Sequence, residues 1–148
     1  MTVELFDIND ADRMREALAI RTQVFVEEQG VPPEEEIDAH DRITPDAVHA
    51  LARDATGRSV GAARYYPLDR RSVQIGRMAV AAEARGIGAG RALLETLCAE
   101  ARRRGFVRAH LHAQLQAREF YAKAGFEDDG EPLWDAGILH RPMSKRLA

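Results

Sequence analysis

Three glycines at alternate positions, Gly86, Gly88 and Gly90, stand between a strand-like run and a helix-like run, and no other feature of the 148-residue chain restricts its folding as strongly. Val73–Ala81 reads as a strand, with Ile75 and Val80 supporting a buried one. After the glycines, Leu93, Leu94, Leu97, Cys98 and Ala101 fall on one helical face, while Arg91, Glu95, Glu100 and Arg102 lie mostly off it. A strand therefore turns directly into a helix N-terminus. Such an end presents N–H groups without intrahelical partners and a partial positive charge, which suits a phosphate. Glycine lets the backbone approach the anion with no Cβ in the way. Arg85 and Arg91 flank the turn as sources of charge-assisted hydrogen bonds. Two common nucleotide loops do not fit. Arg91-Ala92 follows Gly90 where a P-loop has Lys and then Ser or Thr. The glycine spacing is not G-x-G-x-x-G, and Phe106–His110 occupies the region where a dinucleotide fold has its acidic residue.

The rest of the chain alternates strands and helices. Thr2–Ile8 reads as a strand. Asn9 or Asp10 then caps a helix carrying Met14, Ala17, Leu18, Arg21 and Phe25 and ending near Gly30. Pro32, Pro33 and Pro45 with several acidic residues make 31–46 a loop containing a short helix. Ala47–Arg53 and Ser59–Leu68 read as strands joined by a turn at Asp54–Gly57. Val107–His112 is a strand, and Gln116–Ala124 a helix stopped by Gly125 as Gly105 stops the earlier one. Asp128–Trp134 and Ile138–Arg146 close the chain as strands. The order implies one parallel pair in an otherwise mostly antiparallel sheet, an α/β fold with helices on both faces.

A formal charge of −3 provides no global field for nucleic acid or anionic lipid, so neither is expected as a partner. The single cysteine, Cys98, fits a reducing compartment. The N-terminal stretch lacks the pattern of a signal peptide, and no apolar run approaches the ~20 residues of a membrane span. A cytoplasmic chain forming one domain, 1–148, is expected. His110-x-His112 and Cys98 have no fourth ligand at a familiar spacing, so no metal is expected.

The pattern that fits Arg85–Gly90 is R-x-x-G-x-G. It resembles the pyrophosphate loop of the GNAT superfamily of N-acetyltransferases. The resemblance extends back to Arg77-Met-Ala-Val80. It extends forward to Ala117-Arg-Glu-Phe120-Tyr121-Ala-Lys123-Ala-Gly125-Phe126, which is similar to that family's A-x-x-F-Y-x-K-x-G-F helix. Two blocks in register cover about half the chain.

The resemblance implies a GNAT fold in which the strand before the loop splays from its parallel neighbour, with acetyl-CoA as co-substrate in the gap. The backbone of Met78, Ala79 and Val80 would hold pantetheine, and Arg85, Gly86, Ile87, Gly88, Ala89, Gly90 and Arg91 the pyrophosphate. Gln114 stands where the family often has asparagine. Tyr121 matches the tyrosine that protonates the departing thiolate in many members. Phe120 and Lys123 are further cofactor contacts. His140, in an H-x-x-M ending, is similar to a histidine that serves some relatives as base, and imidazole has an unperturbed pKa of ~6.5. His110, His112, Glu27 and Glu28 are alternatives for that role. Arg21, Phe25, Glu28 and His110 are expected acceptor contacts. Glu34–Asp38 reads as a solvated loop that would attract a cationic acceptor. The implied reaction is direct acetyl transfer to a primary amine, probed against two other readings: a non-catalytic acyl-CoA-binding module and a protein N-acetyltransferase. Unpaired edge strands leave a homodimer open.

Overall fold

The computed structural model describes residues 1–42, 44 and 46–147; Pro45, counted above in the proline-bearing loop, lies outside them. Eight strands form one sheet: β1 (Thr2–Phe6), β2 (Val48–Arg53), β3 (Ser59–Pro67), β4 (Ser72–Val80), β5 (Arg108–Gln114), β6 (Glu127–Asp128), β7 (Leu133–Asp135) and β8 (Ile138–Arg146). Their spatial order is β1-β2-β3-β4-β5-β8-β6, with β7 also on β8. Among the described residues only β4 and β5 pair in parallel. The α-helices among the described residues are α1 (Ala11–Arg21), α2 (Pro33–Glu36), α3 (Ala89–Arg103) and α4 (Arg118–Lys123).

Alternation along the central strands feeds two cores. On one face Val48, Ala50 and Ala52 of β2 meet Leu93, Leu94, Leu97 and Ala101 of α3. On the other, Leu51, Ala62 and Ala79 meet Met14, Ala17 and Ile20 of α1. Helices thus cover both faces, as the apolar periodicity requires. Asp10 caps α1 by accepting from the Arg13 N–H at 3.1 Å. Gly105, at φ +97°, ends α3: its N–H donates to Arg102 O and the Phe106 N–H to Ala101 O, each at 3.0 Å.

Past Arg21 the first helix widens into a π-helix over Thr22–Glu28, which the 3.6-residue spacing did not foretell. Gly30, at φ +73°, then ends the helical path.

The parallel pairing of β4 with β5 runs only from Ser72/Arg108 to Ile75/Leu111. Beyond it the strands separate. Against β3, Ala62 faces Ala79 and Arg64 faces Gly76, so Arg77 and Met78 oppose the single residue Ala63. This bulge kinks β4 away from β5, with Arg77 at φ +53°.

The 33–41 segment is only partly solvated: Glu34 and Glu35 are exposed, as the sequence suggests, but Glu36 and Asp41 turn inward and Asp38 is partly covered. Glu36 is 2% exposed and Arg21 only 1%. Arg21 donates through Nε to Glu36 Oε1 at 2.8 Å and through Nη1 and Nη2 to the Asp41 carboxylate at 2.6 and 2.9 Å. Arg64 bridges Asp41 and Asp38, at 2.8 and 2.5 Å. Arg21 is therefore a tie between α1 and the following loop, not an acceptor contact. Burial opposes the charge on Asp41, yet Arg21 and Arg64 together hold its carboxyl far below the usual carboxylate range.

Removing one partner of such a buried pair costs about 3–5 kcal/mol, so Arg21→Met should lower the melting temperature sharply. The native pKa of Asp41 is depressed, so the stability it confers is complete above its unfolded value, ~3.9. That stability is lost as pH falls toward the native value. Thermal melts of Asp41→Asn should therefore be less stable at neutral pH and flatter through the acid range than those of the wild type.

Candidate active site

A cavity of about 980 Å³ occupies the gap that β4 and β5 leave. Its walls come from the π-helix, the 33–41 segment, the ends of β4 and β5, the glycine turn, α4 and the start of β8. Strand alternation fixes which backbone groups face it. Ala81 donates its N–H to Val60 O at 2.9 Å across β3. Two residues back, Ala79 is likewise committed to β3, and its methyl enters the α1 core. Met78 and Val80 therefore direct their backbone groups toward the gap, and both line it. Of the three residues expected to hold pantetheine, Ala79 is turned away.

The glycine turn closes one end. Gly86 and Gly88 adopt φ +87° and +89°, a region open to glycine and costly for other residues. The first intrahelical bond of α3 runs from the Ala92 N–H to Gly88 O at 3.0 Å. The N–H groups of Ala89, Gly90 and Arg91 precede it, and among the described residues they have no backbone acceptor. Gly90 sits under Phe120, where an added Cβ would lie 3.4 Å from the ring. Gly86, Gly88, Ala89, Gly90 and Arg91 line the cavity, whereas Ile87 and Lys123 do not. Arg91 extends into solvent and pairs with Glu95 at 2.7 Å.

Arg85 turns inward instead. Its Nε donates to Val80 O at 3.1 Å and its Nη2 to Glu28 Oε2 at 2.8 Å. Beside this strap is a second one. Gln29 and Gln114 exchange side-chain amide hydrogen bonds at 2.9 and 3.3 Å. The end of the π-helix is thus tied to the turn through Glu28 and to β5 through Gln29. Glu28 is ion-paired here, which competes with a role as free base.

Tyr121 is half-buried on α4, edge-on to Phe120 and Phe126 with ring centres 5.0 and 6.1 Å apart. Burial pushes its pKa up to about 12, so the phenol keeps its proton at neutral pH. His140 lies across from Gln114 in the β5–β8 register and on the cavity wall. Its Nδ1 is 2.8 Å from Ile138 O. A carbonyl only accepts, so Nδ1 carries the proton and Nε2 of the neutral ring offers a lone pair. His112 also lines the cavity, and burial lowers its pKa. His110 does not line it; its Nδ1 faces Asp129 at 3.6 Å.

Phe25, Glu28, Gln114, Phe120, Tyr121 and His140 are thus brought to one cavity, while Arg21, His110, Ala79, Ile87 and Lys123 are not. The sequence reading missed Gln29, Arg64, Tyr66, Gln74, Arg77 and Asp135 on the same walls. Arg77 belonged to a recognised block, but nothing in the sequence marks its bulge. Cys98 is buried in the α3 core, with burial pushing its thiol up to about 11, so it is neither exposed nor activated as a nucleophile. Among the described residues, no group of three or more His, Cys, Asp or Glu side chains is arranged to hold a metal ion, and no helix is long and apolar enough to cross a membrane.

Known proteins match the chain in sequence and fold. The family model described as an acetyltransferase (GNAT) domain matches residues 14–147. YjcF of Bacillus subtilis, named an N-acetyltransferase, is 34% identical over 138 residues, covering 90% of this chain and 93% of the relative. An acyl-CoA N-acyltransferase structure from Pseudomonas aeruginosa superposes with a TM-score of 0.83 at 26% identity, covering 98% of this chain and 99% of the other. Escherichia coli ElaA gives 0.82 at 28% identity, with 97% and 98% covered. The fold thus recurs with a matching sequence, and the chain belongs to the GNAT acetyltransferases.

Proposed function

We propose that this chain, as one domain spanning 1–148, transfers an acetyl group from acetyl-CoA to the primary amine of a small molecule by direct attack in a ternary complex. The observation that carries the reading is the continuity of the cavity. It runs from the N–H groups at the start of α3, which have no backbone acceptor among the described residues, past the gap-facing edge of Met78 and Val80, where only the Val80 carbonyl is engaged, by Arg85, to Tyr121 and His140. That sequence of groups fits a phosphate, an amide-bearing arm and a reacting thioester in turn.

Acetyl-CoA supplies an acyl group activated as a thioester. The chain's own residues then have distinct tasks. The N–H groups of Ala89, Gly90 and Arg91 bind phosphate oxygens, and Arg85 exchanges Glu28 for the same anion. A backbone N–H of Met78 or Val80 polarises the reacting carbonyl. His140 Nε2 takes the proton released as the amine nitrogen forms its bond to the acyl carbon. As the C–S bond breaks and charge builds on the sulfur, the Tyr121 phenol on the cavity wall hydrogen-bonds to it and passes on a proton that water then returns to the phenol. The buried Cys98 supports transfer without an acyl-enzyme. A reducing, cytoplasmic setting, an acceptor other than nucleic acid or membrane, and a homodimer through an edge strand belong to the same proposal. They draw on the single thiol, the net charge of −3 and the open edges of β1 and β6.

Acetyl-CoA should raise the melting temperature, since a ligand of the native state stabilises it by mass action. Gly90→Asp should abolish that rise by setting a carboxylate against the phosphates. Its own stability should hold, because a negative charge at a helix N-terminus is favourable by ~0.3–1 kcal/mol. A Gly90→Asp protein that responds to acetyl-CoA like the wild type would place the phosphates elsewhere.

Tyr121→Phe should lower kcat by ~10²-fold with little change in acetyl-CoA affinity. His140→Gln should lower kcat/KM by a similar factor while the acetyl-CoA thermal shift is retained. CoA release over an amine panel reads both. Full rates in both variants would assign the proton transfers to other groups, and no release from the wild type with any amine would favour a non-catalytic acyl-CoA-binding module.

A further inference from the structure

We infer that the acceptor carries a carboxylate beside its amine and that this carboxylate docks on the guanidinium of Arg77. The inference rests on the proposed acetyl transfer to a small-molecule amine and narrows its acceptor class.

Position comes first. Arg77 precedes Met78, whose backbone edge faces the gap, so the two Cα atoms are only ~3.8 Å apart. Both residues line the cavity. An anion held by Arg77 therefore sits within one small molecule's length of the reacting acyl group.

The pairing in the buried ion cluster is uneven. Three guanidiniums (Arg21, Arg64, Arg77) meet three carboxylates (Glu36, Asp38, Asp41). Arg21 and Arg64 take the short contacts, 2.5–2.8 Å. Arg77 is left with 3.6 Å to Glu36 and 3.5 Å to Asp38. Its firm bonds go to neutral carbonyls: Nε to Glu36 O at 3.0 Å and Nη2 to Glu35 O at 3.2 Å. Among the described residues, Nη1 makes no hydrogen bond. Burial and the nearby Arg64 and Arg21 press its pKa below the ordinary arginine value despite Asp38 and Glu36. Arg77 is thus the cation of the cluster with the least compensation, and it has a free donor at the cavity.

Backbone conformation supports the same conclusion. Arg77 holds φ +53° within a strand, a conformation that is strained for a residue with a side chain. The two carbonyl bonds aim the guanidinium from that strained position.

Glu28, Glu35, Asp38 and Asp135 also line the cavity, and they would favour a second cation instead. Glu35 and Asp135 are exposed, so water and salt screen them, Asp38 is committed to Arg64 at 2.5 Å, and Glu28 lies beside Arg85 at the phosphate end. The Arg77 side chain is 26% exposed, and its field is screened less. A carboxylate there gains charge-assisted hydrogen bonds that an uncharged group does not.

The test compares amino acids with their amides and with the corresponding decarboxylated amines, using the full chain and acetyl-CoA. The carboxylated acceptors should be favoured in kcat/KM by at least about tenfold, which is ~1.4 kcal/mol. Arg77→Gln keeps a donor for the Glu35 and Glu36 carbonyls but loses the charge, and it should erase that preference. Arg77→Lys should retain part of it. An unchanged acetyl-CoA thermal shift in both variants shows that fold and cofactor loop are intact. Equal rates for the three acceptor forms, or a preference surviving in Arg77→Gln, would overturn the inference. Should no amine be acetylated, the catalytic reading fails separately. The same compounds are then titrated into the CoA-loaded protein and followed by thermal shift. Stabilisation by the carboxylated forms alone sustains the inference, and equal or absent stabilisation overturns it.

Discussion

The bulge at Arg77 and Met78 ends the pairing of β4 with β5 after Ile75, and the cavity follows from that interruption. A parallel pair normally satisfies the backbone groups of both strands. Here Met78 and Val80 keep theirs facing an open gap, so the fold carries an unfilled strand position at its centre. An extended ligand with its own amides can occupy it as a strand would. The bulge also determines where β4 releases the chain, and thus where the glycine turn sets the start of α3. One backbone irregularity therefore fixes both the edge and the end of the site.

A rigid wall opposite that edge is the second requirement, and electrostatics provide it. Three arginines and three carboxylates lie within the fold, where desolvation penalises each of them. The bonding is dense enough to keep Asp41 ionised against its burial. The cluster binds α1, the 33–41 segment, β3 and β4 into one unit. The outer rim is held differently. Arg85–Glu28 and Gln29–Gln114 are exposed contacts between the π-helix and the far side of the gap. Exposed pairs of this kind contribute little each, so a ligand can exchange them cheaply.

Local signals were legible in the sequence. The glycine turn, the apolar face of α3 and the caps at Gly105 and Gly125 depend on residues within one or two turns of each other, and they appear where expected. The splay of β4 from β5 entered through the family resemblance, and the register agrees with it. What escaped depends on distant partners. Arg21 fits helical spacing as well as any exposed arginine. Its burial depends on Glu36, Asp41 and Arg64, brought in by the fold of the 33–41 segment. Glu36 read as solvated with its exposed neighbours Glu34 and Glu35 for the same reason. The π-helix escaped because its wider turn leaves no distinct residue pattern. His110 and His112 share a strand face, yet only His112 reaches the cavity, while the His110 ring lies beside Asp129.

Backbone amide exchange on binding CoA addresses the strand gap directly. If the gap is the cofactor slot, CoA should slow exchange at the N–H groups of Met78 and Val80 and at those of Ala89–Arg91, while Ala79, already facing β3, changes little. Protection confined to other segments, with Met78 and Val80 exchanging as in the free protein, would contradict the account.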